Sequence, residues 1–299
     1  MRVFVTGASG WIGSAVVDEL LTAGHAVVGL ARSDTSAASL DAKGAQVHRG
    51  DLDDLDSIRE GAATADAVLH LANKHDFSNI AVSNQAERAA VQAIGDVLTG
   101  SGRPFLLASG VAVPAQGGRP ATEDDRSPFH GLESPRGGSE NLALEYVDRG
   151  VNTVSVRYAP TVHGDGDHGF IAMLVAIARE KGVAGYVGDG TNRWPAVHRS
   201  DAAQITRLGL EKAPAGTLLH AVSEEGVPTR EIAEAIGRGL DVPVTSIAPQ
   251  DAQEHFGWIG QFFAMDIPAS SARTQELLGW APSGPGLIQD LDAGSYFRA

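Results

Sequence analysis

The chain has 299 residues, 37 acidic against 23 basic, a formal net charge of −14, 43% hydrophobic residues, 36 Gly and no Cys. The lack of Cys excludes disulfides, thiolate nucleophiles and Cys-ligated zinc or iron–sulfur centres, and the acidic balance argues against a nucleic-acid partner, since phosphate binding calls for a basic face. The length is ample for a buried core; Tyr and Lys are scarce, at four each.

The opening MRVFVTGASG turns into a Gly-rich segment after Val5, where a secretory leader would continue its apolar run. No stretch approaches the roughly 18 apolar residues of a membrane span. The expectation is a cytoplasmic protein without a membrane partner. Strands are expected over 2–5, 26–30, 45–48, 67–72, 105–109 and 151–157, and helices over 11–23, 55–64, 79–98 and 139–149. Short apolar strands separated by helices indicate βαβ units around a parallel sheet covered on both faces. Beyond Arg157 the rhythm loosens: a Gly/Asp/His loop at 163–169, a helix at 170–180, a Gly-rich loop at 186–194 and a short run and helix at 197–211. A strand at 217–222 and helices at 229–240 and 271–278 follow. The fold class is α/β, a doubly wound parallel sheet with a smaller, irregular C-terminal substrate lobe. The nucleotide domain takes 1–157 plus about 197–222, and the substrate lobe about 158–196 and 223–299.

Between the first strand and first helix stands Thr6-Gly7-Ala8-Ser9-Gly10-Trp11-Ile12-Gly13. Gly7 permits a tight turn, Gly10 lets backbone approach a pyrophosphate, and Gly13 lets helix and strand pack closely. The helix start offers unpaired N–H groups and a favourable dipole to phosphates. The second strand runs into Arg32 and Ser33, a cation and a hydroxyl suited to a ribose 2′-phosphate, where an NAD site usually has a carboxylate. NADP(H) is therefore expected over NAD(H). Asp51, after the third strand, can accept from an adenine amino group, or else it caps a helix, as Asp53 or Asp54 could equally.

These residues resemble the extended short-chain dehydrogenase/reductases, the NAD(P)-dependent epimerase/dehydratase group. The likeness runs through TGASGWIG at 6–13, GDLDD at 50–54, VLHLA at 68–72, FLLASG at 105–110, RYAPTVHGDG at 157–166 and GDGTNRWPAVHRSDAA at 188–203. It implies a Rossmann-type fold that holds the cofactor through Gly7, Ser9, Gly10, Trp11, Ile12, Arg32, Ser33, Asp51 and Leu52. Leu71, Ala72, Ser109 and Pro160 are expected to pass its remaining length. It also implies hydride transfer assisted by a Ser, a Tyr and a Lys, with Tyr and Lys four apart on one helix face. This chain departs from that pattern. The usual Ser place falls on Gly110, next to Ser109, and the Tyr and Lys places fall on Ser134 and Gly138. Four residues beyond Tyr146, Tyr158 and Tyr186 stand Gly150, Val162 and Gly190, and Tyr296 has no residue at that spacing, so no shift of register restores the pair.

A ketone needs a proton as charge develops on its oxygen, whereas a protonated imine already carries the charge. The reading is thus an NADPH-dependent oxidoreductase acting on a carbonyl or imine, with a non-standard proton donor among His163, His75 and Tyr158, and with Ser109 as a further expected catalytic residue beside the nicotinamide. His163 titrates near neutrality when unperturbed; alternatively it belongs to a polar loop bonding its own backbone. Tyr158 equally reads as packing beneath the loop. Asp76, Ser134, His168, Trp194 and Trp258 are the expected substrate contacts, and 256–263 a lid or pocket wall. His163 and His168 lie five apart in a Gly-rich loop, so no metal is expected. The Val-His-x-x-Asp run ending at His198 and Asp201 is expected to tie the second lobe to the sheet. The expected partners are a small-molecule substrate and a second copy of the chain, paired through the helices at 79–98 and 139–149. A non-catalytic NADP sensor is the competing reading, and a sugar-nucleotide-type epimerase or dehydratase ranks third.

Overall fold

The computed structural model describes residues 1–74, 76, 79–111 and 118–298. In chain order the first half comprises β1 (Arg2–Thr6), α1 (Trp11–Thr22), β2 (Ala26–Ala31), α2 (Asp34–Ala42), β3 (Gln46–Arg49), α3 (Leu55–Ala63), β4 (Ala67–His70), α4 (Ile80–Leu98), β5 (Pro104–Gly110), α5 (Ser139–Leu144) and β6 (Asn152–Tyr158). The second half comprises β7 (Thr161–His163), α6 (Phe170–Lys181), β8 (Ala184–Val187), β9 (Arg193–His198), α7 (Arg199–Lys212), β10 (Leu218–Ala221), β11 (Glu224–Pro228), α8 (Thr229–Leu240) and β12 (Val244–Ile247). Four short helices close it: α9 (Ala252–Phe256), α10 (Ile259–Phe263), α11 (Ala272–Leu278) and α12 (Leu287–Asp292).

Seven strands form one parallel sheet in the order β10-β6-β5-β4-β1-β2-β3. Alternation along each strand feeds two apolar layers. Val3, Val5, Leu69 and Leu106 enter the layer shared with α1 and α7. Phe4, Val68, Phe105 and Leu107 enter the layer shared with α3 and α4. The chain reverses direction across the sheet between β1 and β4, the switch point where ligands settle in such sheets. A third core joins α6, β8, α8, α9, α10 and α12 around fully buried Trp194.

Two departures from the sequence reading have physical causes. The loop expected over 186–194 is shorter, confined to 188–192: its ends belong to β8, which pairs with β12, and to β9, which pairs with β7 and β11, so partners remote in sequence supply the strand order. The helix over 139–149 is shorter, with α5 giving way to a tighter 3₁₀ turn at Glu145–Arg149. Tyr158, Ala159 and Val162, with Ala269, Leu278 and Trp280, pack into the core of the large sheet. Among the described residues, no helix is long and apolar enough to cross a membrane.

Candidate active site

The turn after β1 is pressed against the segment after β4. Gly7 has φ +68°, and a Cβ there would lie 2.7 Å from the Ala72 nitrogen; one on Gly13 would lie 2.0 Å from the Gly7 carbonyl oxygen. Leu71 N–H donates to the Thr6 carbonyl at 3.2 Å, and Ala72 N–H to Thr6 Oγ1 at 3.3 Å, fixing the two segments side by side. No side chain caps the start of α1, where Ser9 and Gly10 are exposed and Trp11 and Ile12 partly so. Its first-turn N–H groups therefore face outward unpaired. The glycines leave the room that a dinucleotide backbone needs, and the residues present fit that group.

Trp11 anchors this cradle to the second half of the chain. Its Nε1 donates to the Val162 carbonyl at 2.7 Å, and the Arg199 guanidinium lies 4.1 Å over its ring. Arg199 Nε and Nη2 donate to the Trp11 carbonyl and Ser14 Oγ, each at 2.7 Å. His168 is exposed and sets its ring edge-on to Trp11, with centroids 5.6 Å apart.

At the tip of β2, Arg32 is exposed and has no hydrogen-bond or ion-pair partner among the described residues. Ser33 caps α2 by accepting from Ser36 N–H at 3.1 Å. Asp34 is drawn aside to Arg49, at 2.5 Å. Asp51 Oδ1 accepts from the N–H groups of Asp53 and Asp54, at 2.8 and 3.1 Å, while Asp54 caps α3. Leu52 is half-buried against the α3 layer.

A cleft of about 510 Å³, open to solvent, lies at the carboxyl ends of β5 and β6. Ser109, Gly110, Phe129, Arg136, Glu140 and Glu87 are among its lining residues. Beneath it Arg157 Nε and Nη2 donate to Glu140 at 2.9 and 2.5 Å, in a pair exposed by only 3% and 7%. Burial pushes the Glu140 carboxyl up, but the hydrogen bonds and charge of Arg157, with the Ser109 and Ser155 hydroxyls, hold it below its ordinary range. A second pair stands at the cleft wall. Arg136 Nη2 donates to Glu87 Oε1 at 2.6 Å, and Asn73 Nδ2 donates to the other Glu87 oxygen. Burial raises the Glu87 carboxyl despite both partners. Behind them, burial and then the Arg136 charge depress His70 to about 3, and its Nδ1 lies 2.8 Å from Thr6 Oγ1. A Cβ on Gly110 would meet no described atom within 4 Å, so the cleft has room at that position.

Ser109 thus reaches the cleft; the other described sequence candidates do not line it. Tyr158 is corrected: it is buried, its hydroxyl lies 2.6 Å from Thr206 Oγ1, and burial raises its pKa, which disfavours a proton-donating role. Trp194 is corrected likewise, because it is fully buried among Phe170, Phe262 and Phe263. His163 belongs to β7 and not to a loop; it is fully buried, with Nδ1 2.9 Å from Asp290 Oδ2. Ser134 spends its hydroxyl on the His130 and Gly131 carbonyls, at 2.9 and 2.7 Å. Asp76 accepts from Asn79 N–H at 3.1 Å, Pro160 is half-buried between β6 and β7, and Trp258 is 47% exposed against Phe170. His75 lies outside the described residues. Among those residues no three His, Asp or Glu side chains gather as a metal-ligating group. Glu87 and Arg136 were missed by sequence reasoning, because 49 residues separate them and neither belongs to a motif.

An uncharacterized protein of Schizosaccharomyces pombe is 46% identical over 99% of this chain and 100% of its own length. One of Saccharomyces cerevisiae is 44% identical over 98% of each. A 4-hydroxy-2-methyl-3-oxo-4-farnesyl-3,4-dihydroquinoline-1-oxide ketoreductase of Stigmatella aurantiaca is 30% identical over 72% of this chain and 66% of its own. In fold, the chain is similar to DesIV, a dTDP-glucose 4,6-dehydratase from Streptomyces venezuelae solved with NAD and TYD bound, with TM-score 0.79, 21% identity, and 99% and 96% of the two chains covered. The model of the NAD dependent epimerase/dehydratase family matches residues 3–220, across the whole of the large sheet and both sides of the cleft, and the chain belongs to that family.

Proposed function

We propose that this protein is an NADP(H)-dependent reductase that directs a hydride to the carbonyl or imine carbon of a small or medium organic molecule. The observation that carries this reading is Arg32, a cation without a described partner at the tip of β2, with Ser33 beside it and the neighbouring carboxylate drawn to Arg49. That arrangement suits a 2′-phosphate and lacks the carboxylate that a bare ribose would use. Gly7, Gly10 and the start of α1 would receive the diphosphate, Leu71 and Ala72 the adenine-side ribose, and Ser109 and Pro160 would flank the nicotinamide. The bound cofactor supplies the hydride. The chain's own part is to hold the acceptor in the cleft and meet the charge that grows on it. The 30% identical relative is named as a ketoreductase, which supports the carbonyl branch.

Fluorescence titration with NADPH and NADH tests the cofactor. Arg32→Ala is expected to weaken NADPH binding by about 10- to 100-fold, the worth of one or two charge-assisted hydrogen bonds, and to leave NADH unchanged. Loss of reduced-nicotinamide absorbance with panels of ketones, aldehydes, imines and enones tests the reaction. The absence of Tyr-x-x-x-Lys favours a second reading, a non-catalytic NADP sensor; tight NADPH binding without turnover of any acceptor would select it. Pairing of two copies through α4 and α5 belongs to the same proposal and is supported by Ile80 and Val82, exposed by 57% and 43%.

A further inference from the structure

Arg136 is a cleft residue in an unusual backbone state. Its φ is 51° and its ψ 28°, and Gly137 and Gly138 follow at φ 60° and 62°. Among the described residues only Arg136 and Asp241 hold positive φ without being glycine. Asp241 ends α8, an ordinary place for that conformation. Arg136 ends no α-helix, and a long side chain there is strained by roughly 1–2 kcal/mol. Such strain persists where surroundings over-determine it, and it gathers at functional sites.

The surroundings here are three side chains of α4. Glu87 takes Arg136 Nη2, Arg88 Nη1 donates to the Gly137 carbonyl at 2.6 Å, and Asn84 Nδ2 donates to the Ser134 carbonyl at 3.1 Å. Glu87 is 1% exposed, while the Arg136 side chain is 36% exposed and lines the cleft. Arg136 Nε and Nη1 have no hydrogen-bond partner among the described residues. The other cleft cation, Arg157, is fully engaged with Glu140 and the Asp125 carbonyl. The lining thus carries two carboxylates paired with two guanidiniums, and that neutral balance gives no pull on a phosphorylated ligand. It suits an uncharged oxygen that needs a donor and gains charge as it reacts.

The geometry points to Arg136 as the group that receives the carbonyl oxygen of an uncharged ketone or aldehyde, with Glu87 as its positioning residue. This rests on the reductase reading and names the substrate class for it. The guanidinium keeps its protons, so Arg136 supplies a hydrogen bond and water supplies the proton.

The test begins with Arg136→Gly, because glycine takes φ 51° without strain and the fold should hold. With cyclohexanone and benzaldehyde as probes, kcat/KM is expected to fall about 100-fold, mostly in kcat, with NADPH affinity unchanged. Millimolar ethylguanidinium is expected to restore roughly tenfold of that loss, as no merely structural role would allow. Glu87→Gln should lower kcat in the same sense by a smaller factor, about tenfold, and leave KM and NADPH affinity in place. Turnover by Arg136→Gly within threefold of the parent, or a loss that ethylguanidinium does not reverse, would overturn the proposal. A readout apart from turnover is the Arg136 Nε–H resonance, assigned by its disappearance in Arg136→Gly. In the protein–NADP⁺ complex it should shift on addition of cyclohexanone. A shift without turnover of any carbonyl would keep Arg136 as the contact and sink the reductase reading. No shift would overturn the proposal for Arg136.

Discussion

At Gly13 a single hydrogen atom in place of a methyl group decides whether α1 can start where it does. A Cβ would sit 2.0 Å from the Gly7 carbonyl oxygen, a backbone atom that cannot rotate away. Gly13→Ala must therefore push α1 off β1, at a cost of about 2–4 kcal/mol, and displace the N–H groups of the cradle. Thermal unfolding should show the loss, and NADPH titration should show weakened binding even where the variant remains folded. This part of the site was legible in the sequence, since the glycine spacing states its own steric purpose. The place of Arg32 at an exposed strand tip was legible too. Arg136 was not: its role depends on a left-handed backbone and on a carboxylate from another helix, and neither leaves a mark in local sequence.

Among the elements, α7 joins the large sheet to the C-terminal part. Its first turn carries Asp201, fully buried, whose oxygens accept from Ser283 N–H and Oγ and from Gly284 N–H at 2.9 to 3.2 Å. His198 caps the same helix by accepting from Ser200 N–H. The expectation that these residues tie the second lobe to the sheet agrees with the bonds of Asp201, whereas the hydrogen bonds of His198 stay within the first turn of α7. Asp201→Ala leaves buried donors unpaired and should destabilise the protein by about 2–4 kcal/mol, measurable as a shifted urea midpoint. The elements that escaped the sequence reading are those without periodicity of their own. In α2 only Ala37 and Leu40 are buried, and the helix is set by its Ser33 cap. The strand β8 is four residues long and acquires its strand character from β12, some sixty residues away.

The stability of the whole molecule should respond to one buried imidazole. His70 is fully enclosed in the large sheet and titrates near 3, against about 6.5 in an unfolded chain. Between those values the unfolded chain binds a proton that the folded chain refuses, so stability rises with pH and falls as pH drops below about 6.5. The slope from this group is about 1.4 kcal/mol per pH unit, flattening near pH 3. Urea unfolding at pH 6.5, 5.5 and 4.5 should show stability falling in the parent, and His70→Asn should make the fall shallower by that amount, leaving the part that the other histidines depressed by burial, His198, His220 and His255, contribute. Equal slopes in the two proteins would refute the assignment.

Trp11, held by the Val162 carbonyl and covered by Arg199, fixes the first turn of α1 before any ligand arrives. The conformational entropy of the first-turn amides is thus spent during folding, and association need not spend it again. Cofactor capture should then be a single diffusional encounter, without a slow isomerisation after it. Its heat-capacity change should match the surface covered, with no contribution from coupled folding. Calorimetry across a range of temperatures and stopped-flow mixing would read these two signatures of a preorganised receptor.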